Sequence, residues 1–90
     1  MIIKKYLVIS SKVQGVGFRY WMKNFAINNN ISGWVKNKLS GDVEALIIGQ
    51  EKEVQKLIKQ CKIGPSSATI QNIQINDYDQ NYSKEGFNIF

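Results

Sequence analysis

The chain contains no histidine, one cysteine, one proline and one arginine. Without histidine there is no Ser-His-Asp triad, no Cys-His nucleophile and no phosphohistidine chemistry. With Cys61 as the lone thiol, the usual zinc ligand sets are also missing. Cys61 cannot form an internal disulfide, which points to a reducing compartment. A thiol phosphatase would need an arginine close behind its cysteine, and Lys62-Ile63-Gly64-Pro65-Ser66-Ser67 supplies none. Acidic residues are few, 7 against 12 basic ones, giving a net charge of +5 and a pI near 9.4. Such a balance favours anionic partners, whether small phosphates, nucleic acid or a membrane surface. No apolar run approaches the length of a membrane span, and Lys4 and Lys5 interrupt the first one too early for a secretory leader. The expectation is a soluble cytoplasmic protein, a single domain over residues 1–90 and a monomer, with 43% apolar content to build one core.

What is present reads as alternating strands and helices. Residues 2–10 (IIKKYLVIS) are rich in β-branched and aromatic types and predict a strand. From Phe18 to about Asn29 the residues Phe18, Met22, Phe25 and Ala26 share one helical face, with Trp21 on its flank. The run Asn28-Asn29-Asn30 is a plausible stop. Residues 31–37 and 42–48 predict a second and a third strand joined by the hairpin loop Lys38-Leu39-Ser40-Gly41. Val54, Leu57, Ile58 and Cys61 stand at i, i+3, i+4 and i+7, the clearest amphipathic helix in the chain, ended by Gly64-Pro65. Residues 68–76 predict a fourth strand whose alternation slips around Gln71-Asn72, the mark of a β-bulge. Gly86 to Phe90 predicts a short last strand. The order β-α-β-β-α-β matches an α+β, ferredoxin-like sandwich, an antiparallel sheet with two helices on one face. That fold hosts enzymes, RNA binders and metal carriers alike, so it does not assign a function.

Eleven of the twelve basic residues are lysine. The exception, Arg19, closes the heptapeptide Val13-Gln14-Gly15-Val16-Gly17-Phe18-Arg19 just where the first helix begins. Arginine presents a rigid planar fork that grips two oxygens of one oxyanion, which lysine cannot do. Two glycines upstream allow backbone amides to turn toward a ligand, and a helix N-terminus favours negative charge. The backbone of Gln14, Gly15, Val16, Gly17 and Phe18, with the Arg19 guanidinium, is thus a candidate oxyanion cradle. The pattern is neither a Walker A loop, lacking a Lys-Ser/Thr pair, nor a dinucleotide fingerprint, lacking the third glycine. Asn37 ends the second strand, where asparagine commonly starts a turn. In a ferredoxin-like sheet that strand's exit can approach the loop after strand one, and an amide there can hold a water by donating and accepting. Lys36 beside it is a candidate for long-range attraction of phosphate. Phe18, Trp21, Phe25 and Trp34 are expected in the core, and Cys61 is expected to be an inert buried thiol.

VQGVGFR, then Gly33-Trp34-Val35-Lys36-Asn37, Gly41-Asp42-Val43-Glu44 and Gly64-Pro65-Ser66-Ser67-Ala68-Thr69-Ile70, together resemble the acylphosphatase family from end to end. The resemblance implies a ferredoxin-like fold and metal-independent, cofactor-free hydrolysis of carboxyl-phosphate mixed anhydrides. It implies that Arg19 binds the phosphate and Asn37 orients the attacking water. Two positions depart from the family's pattern, which commonly has glycine where Ser11 stands and aspartate where Ser40 stands. Both flank the site and bear on loop geometry more than on chemistry. Two other readings compete. A basic ferredoxin-like module could bind RNA, but the third strand, DVEALII, carries no aromatic on which a base could stack, and nucleic acid is not the expected partner. A catalytically silent acylphosphatase-like domain would be expected attached to a larger protein.

Overall fold

The computed structural model describes residues 1–12, 14, 17–66 and 68–90, with the backbone alone at 11 and 12. Seven elements follow in order: β1 (Ile2–Lys12), α1 (Phe18–Asn28), β2 (Ser32–Asn37), β3 (Val43–Gln50), α2 (Glu51–Cys61), β4 (Thr69–Asp77) and β5 (Phe87–Ile89). They form one five-stranded sheet in the order β4-β1-β3-β2-β5. The four long strands pair antiparallel, as expected, and β5 adds a parallel pair to β2.

Side-chain alternation decides which face receives the helices. Leu7 and Ile9 of β1, Val35 of β2, and Val43, Ala45 and Ile47 of β3 point to one face. There they meet Phe18, Met22 and Ala26 of α1 and Val54, Leu57, Ile58 and Cys61 of α2 in a single buried cluster. Each aliphatic side chain fully buried in this layer contributes about 1.5–3 kcal/mol relative to exposure. The α2 stripe at i, i+3, i+4 and i+7 is buried as read from the sequence. Glu51 and Glu53 stand in its first turn and Lys59 in its last, as its dipole favours. Cys61 is fully buried, and burial pushes its thiol up to about 12, so it stays protonated and inert.

Two sequence expectations are sharpened. The slip in β4 is a bulge: Ser10 pairs with Asn72 and Ser11 with Ile70, leaving Gln71 as the extra residue. That same pairing carries β1 two residues past Ser10, to Lys12. One expectation is corrected. Phe18, Trp21 and Phe25 do pack in or against the core, but Trp34 does not. It lies between Gly33 and the buried Val35, so the two-residue period of a strand turns it to the opposite face, where it meets Tyr6 edge-on at 6.4 Å and Phe90 at 6.2 Å.

Gly33 sets how closely β2 can approach β3. Its φ is +131°, and a Cβ built there would lie 1.9 Å from the Leu46 carbonyl oxygen, a backbone atom that cannot step aside. Gly33→Ala should therefore destabilise the fold by about 3 kcal/mol or more, as strain and clash add. Urea denaturation of the two proteins checks this, and a difference below about 1 kcal/mol would show that the strands can part at no cost.

Candidate functional site

The register of the three middle strands brings together, at one end of the sheet, the strand end that carries Asn37 and the chain leading to Gln14. Ile9 and Asn37 both pair with Val43, so the ends of β1 and β2 share a row across β3. Past that row, β1 leads into the loop that precedes α1, and β2 leads into the hairpin turn closed by Lys38 N–H donating to the Asp42 carbonyl at 2.8 Å. The two segments touch. The side-chain amide of Gln14 donates to the Lys38 carbonyl at 2.7 Å and to the Asp42 carbonyl at 2.9 Å. Sequence reasoning included Gln14 for its backbone N–H; its side-chain role becomes visible only when the hairpin is placed beside it.

Gly17 holds the N-cap of α1 at φ +79°, a left-handed conformation that glycine adopts without steric cost, and its carbonyl accepts the first helical bond from Trp21 at 3.0 Å. Among the described residues no side chain caps either helix, but the first turn of α1 has no acidic residue where that of α2 has two. The N-terminal amides of α1 thus keep their attraction for an external anion. Arg19 is the second residue of α1 and half-buried. Its Nη1 donates to the Phe90 carbonyl at 3.4 Å, a long and weak bond, the one that Arg19 makes among the described residues. Phe90 is itself anchored by its N–H on the Val35 carbonyl at 2.9 Å, two residues before Asn37. Asn37 is exposed at the end of β2 and lines a shallow hollow with Lys38, Ser40 and Asp42. Of the predicted cradle, Gly15 and Val16 lie outside the described residues; Gln14, Gly17, Phe18 and Arg19 lie within them. Phe18 is buried under its own helix and serves the core with its side chain. Ser40, one of the two departures from the family pattern, keeps the turn together by accepting from the Asp42 N–H at 3.4 Å.

Lys36 differs from its expected role. Its ammonium is 3.1 Å from Glu44 and 5.5 Å from the centre of the Trp34 ring, so its charge is matched on the open face of the sheet. Tyr6 donates its hydroxyl to the same carboxylate. Burial pushes the Tyr6 hydroxyl up to about 12, helped by the bond to Glu44 and its charge. For Glu44, burial opposes ionisation, but the Tyr6 hydroxyl and the Lys36 ammonium outweigh it and hold its carboxyl below the ordinary 4.5. Among the described residues, no group of three or more Cys, Asp or Glu gathers as a metal-binding set, and no helix is long and apolar enough to cross a membrane.

A family model of acylphosphatases matches residues 5–89. The chain is 42% identical over 72 residues to an acylphosphatase of Acidiphilium cryptum, covering 80% of this chain and 79% of that one. It is 34% identical over 90 aligned positions to an acylphosphatase of Rhodopseudomonas palustris, covering 94% and 91%. The crystal structure of acylphosphatase from Bacillus subtilis superposes with a TM-score of 0.92 at 30% identity, covering 100% of this chain and 99% of that one.

The Glu44 cluster gives a pH dependence with a defined sign. In the unfolded chain this carboxyl titrates near 4.5 and in the folded chain lower, so between the two values the unfolded state binds the extra proton. The stability that ionised Glu44 contributes is present above the unfolded value and is lost as pH falls through the folded one. The gap in melting temperature between wild type and Glu44→Gln should be widest near neutrality and close below about pH 4.5. Thermal melts at stepped pH check this; a gap constant down to strong acid would contradict it.

Proposed function

Because the chain belongs to the acylphosphatase family, we propose that it hydrolyses the carboxyl-phosphate bond of small acyl phosphates at the meeting point of the β1–α1 loop and the β2–β3 hairpin. In this reading the backbone amides of residues 14–19 and the Arg19 guanidinium hold the phosphoryl group, and Asn37 places the attacking water. The observation that supports it is the pair of bonds from the Gln14 side chain to the Lys38 and Asp42 carbonyls, which ties Gln14 to the turn that follows Asn37.

The chemistry fits so sparse a site. Phosphoryl transfer passes through a loose transition state whose charge lies on oxygens, so positioning and electrostatics supply most of the catalysis. The water oxygen bonds to phosphorus as the bond from phosphorus to the acyl oxygen breaks, and that electron pair departs on the carboxylate. A carboxylate is stable unprotonated near neutral pH, so no general acid is needed, and a phosphate oxygen of the substrate accepts the water proton. The reaction asks for donors in fixed positions, which amides, one guanidinium and one carboxamide provide, with neither metal nor cofactor. A cytoplasmic setting suits the reduced Cys61 and substrates of this class.

A nucleic-acid role has one observation behind it: Tyr6, Trp34 and Phe90 lie together on the open sheet face. The Lys36 ammonium among them is already matched by the Glu44 carboxylate, which Tyr6 also binds, and the third strand adds no aromatic on which a base could stack. Hydrolysis is therefore the favoured reading.

Benzoyl phosphate hydrolysis tests it. Arg19→Lys should lose roughly a hundredfold or more of kcat/KM although charge is retained, because a point charge cannot replace the fork. Asn37→Ala should lower kcat with little change in KM, since water positioning counts only in the transition state. EDTA should leave wild-type turnover unchanged. Wild-type rates from Arg19→Ala protein would sink the site assignment, and activity abolished by the chelator would refute the metal-free mechanism.

A further inference from the structure

Gln14 carries the one polar side chain of the loop sequence VQGVG, and that side chain makes two hydrogen bonds. One amide nitrogen spends both of its protons on two carbonyls, those of Lys38 and Asp42. These two carbonyls already accept the bonds that close the hairpin: Lys38 N–H to the Asp42 oxygen at 2.8 Å and Gly41 N–H to the Lys38 oxygen at 3.1 Å. Gln14 thus binds the second lone pair of each oxygen and ties the turn to the β1–α1 loop at two points. Lys38 follows Asn37 directly, and Asp42 precedes Val43, the β3 partner of Asn37. The clamp therefore grips both arms of the hairpin one residue beyond the pair that carries Asn37, on the turn side.

Gln14 is half-buried, while Asn37 is exposed and pairs at the last rung of the β2–β3 ladder. A strand end frays unless something beyond it is tied down. We propose that Gln14 is a positioning residue for the hydrolysis, acting through the hairpin to hold Asn37 at a fixed distance from the phosphate cradle. This rests on the roles assigned above to the cradle and to Asn37. Its consequence is specific: the side chain of Gln14 contributes to the transition state through Asn37 and adds nothing to binding of the phosphate itself. A displacement of Asn37 by about 1 Å would be enough to cost on the order of a hundredfold in rate.

A double-mutant cycle on benzoyl phosphate hydrolysis separates these possibilities. Gln14→Met keeps the length of the side chain and removes both donors. It should lower kcat roughly tenfold or more, with KM and competitive inhibition by inorganic phosphate changed less than about twofold. In an Asn37→Ala background the same exchange should cost less than about twofold, because the residue that the clamp positions is already gone. Equal losses in both backgrounds would overturn the proposal, as would weakened phosphate inhibition with kcat intact. Full activity of Asn37→Ala alone would instead strike the underlying catalytic reading, a result visible before any Gln14 variant is compared. If Gln14→Met fails to fold, Gln14→Glu serves. Its carboxylate faces two carbonyl oxygens and, once protonated, donates to one. Its kcat relative to wild type should rise as pH falls toward about 5, and a flat ratio would overturn the proposal.

Discussion

Every contact of the candidate site depends on β3 lying between β1 and β2. Antiparallel pairing on both of its sides forces β1 and β2 to run in the same direction, so their C-terminal ends emerge together. The row Ile9–Val43–Asn37 is the last one shared by all three strands. A one-residue slip in either ladder would turn Leu7, Ile9 or Val35 out of the core, so the register is held by the whole buried layer. The candidate site takes its frame from that core, and the Gln14 bonds fasten the turn within it. Gly33 tightens the same constraint by admitting the Leu46 carbonyl where any side chain would exclude it.

On this frame the two helices play different electrostatic parts. The N-terminus of α2 carries Glu51 and Glu53 and so satisfies its own dipole. The N-terminus of α1 has no acidic residue and no side-chain cap, so its positive end stays available beside the candidate cradle. Arg19 adds a formal charge at that spot and is steadied through Phe90 and Val35 by the strand that ends in Asn37. Lysines elsewhere supply a diffuse positive field, although Lys36 and Lys5 are held by Glu44 and Asp77. The net charge of +5 draws anions toward the molecule, and the proposed site gives one of them a fixed place.

Much of this was legible in the sequence because its signals are local. The α2 stripe, the hairpin around Gly41, the β4 slip at Gln71 and the position of Asn37 at a strand end depend on neighbours within a few residues. Arg19 stood out for being the only fork in the chain. What escaped depends on residues far apart in the chain. Trp34 looked like core until strand pairing fixed which face Val35 occupies, and Lys36 read as a candidate for attracting phosphate until Glu44 appeared opposite it. The parallel seat of β5 on β2 could not be read from a three-residue strand. Gln14 joins partners 24 and 28 residues away, a relation that no local pattern encodes.

The central claim is that phosphate binds in the loop between β1 and α1, facing the hairpin. Titration with inorganic phosphate followed by amide NMR tests it without turnover. The account predicts saturable shifts centred on the amides of residues 14–19, with smaller ones at Asn37 and Lys38. The molecule offers an alternative in the polar hollow lined by Asn28, Asn30, Lys52 and Lys56 at the far ends of the helices. Shifts centred there, with the loop amides unmoved, would contradict the account.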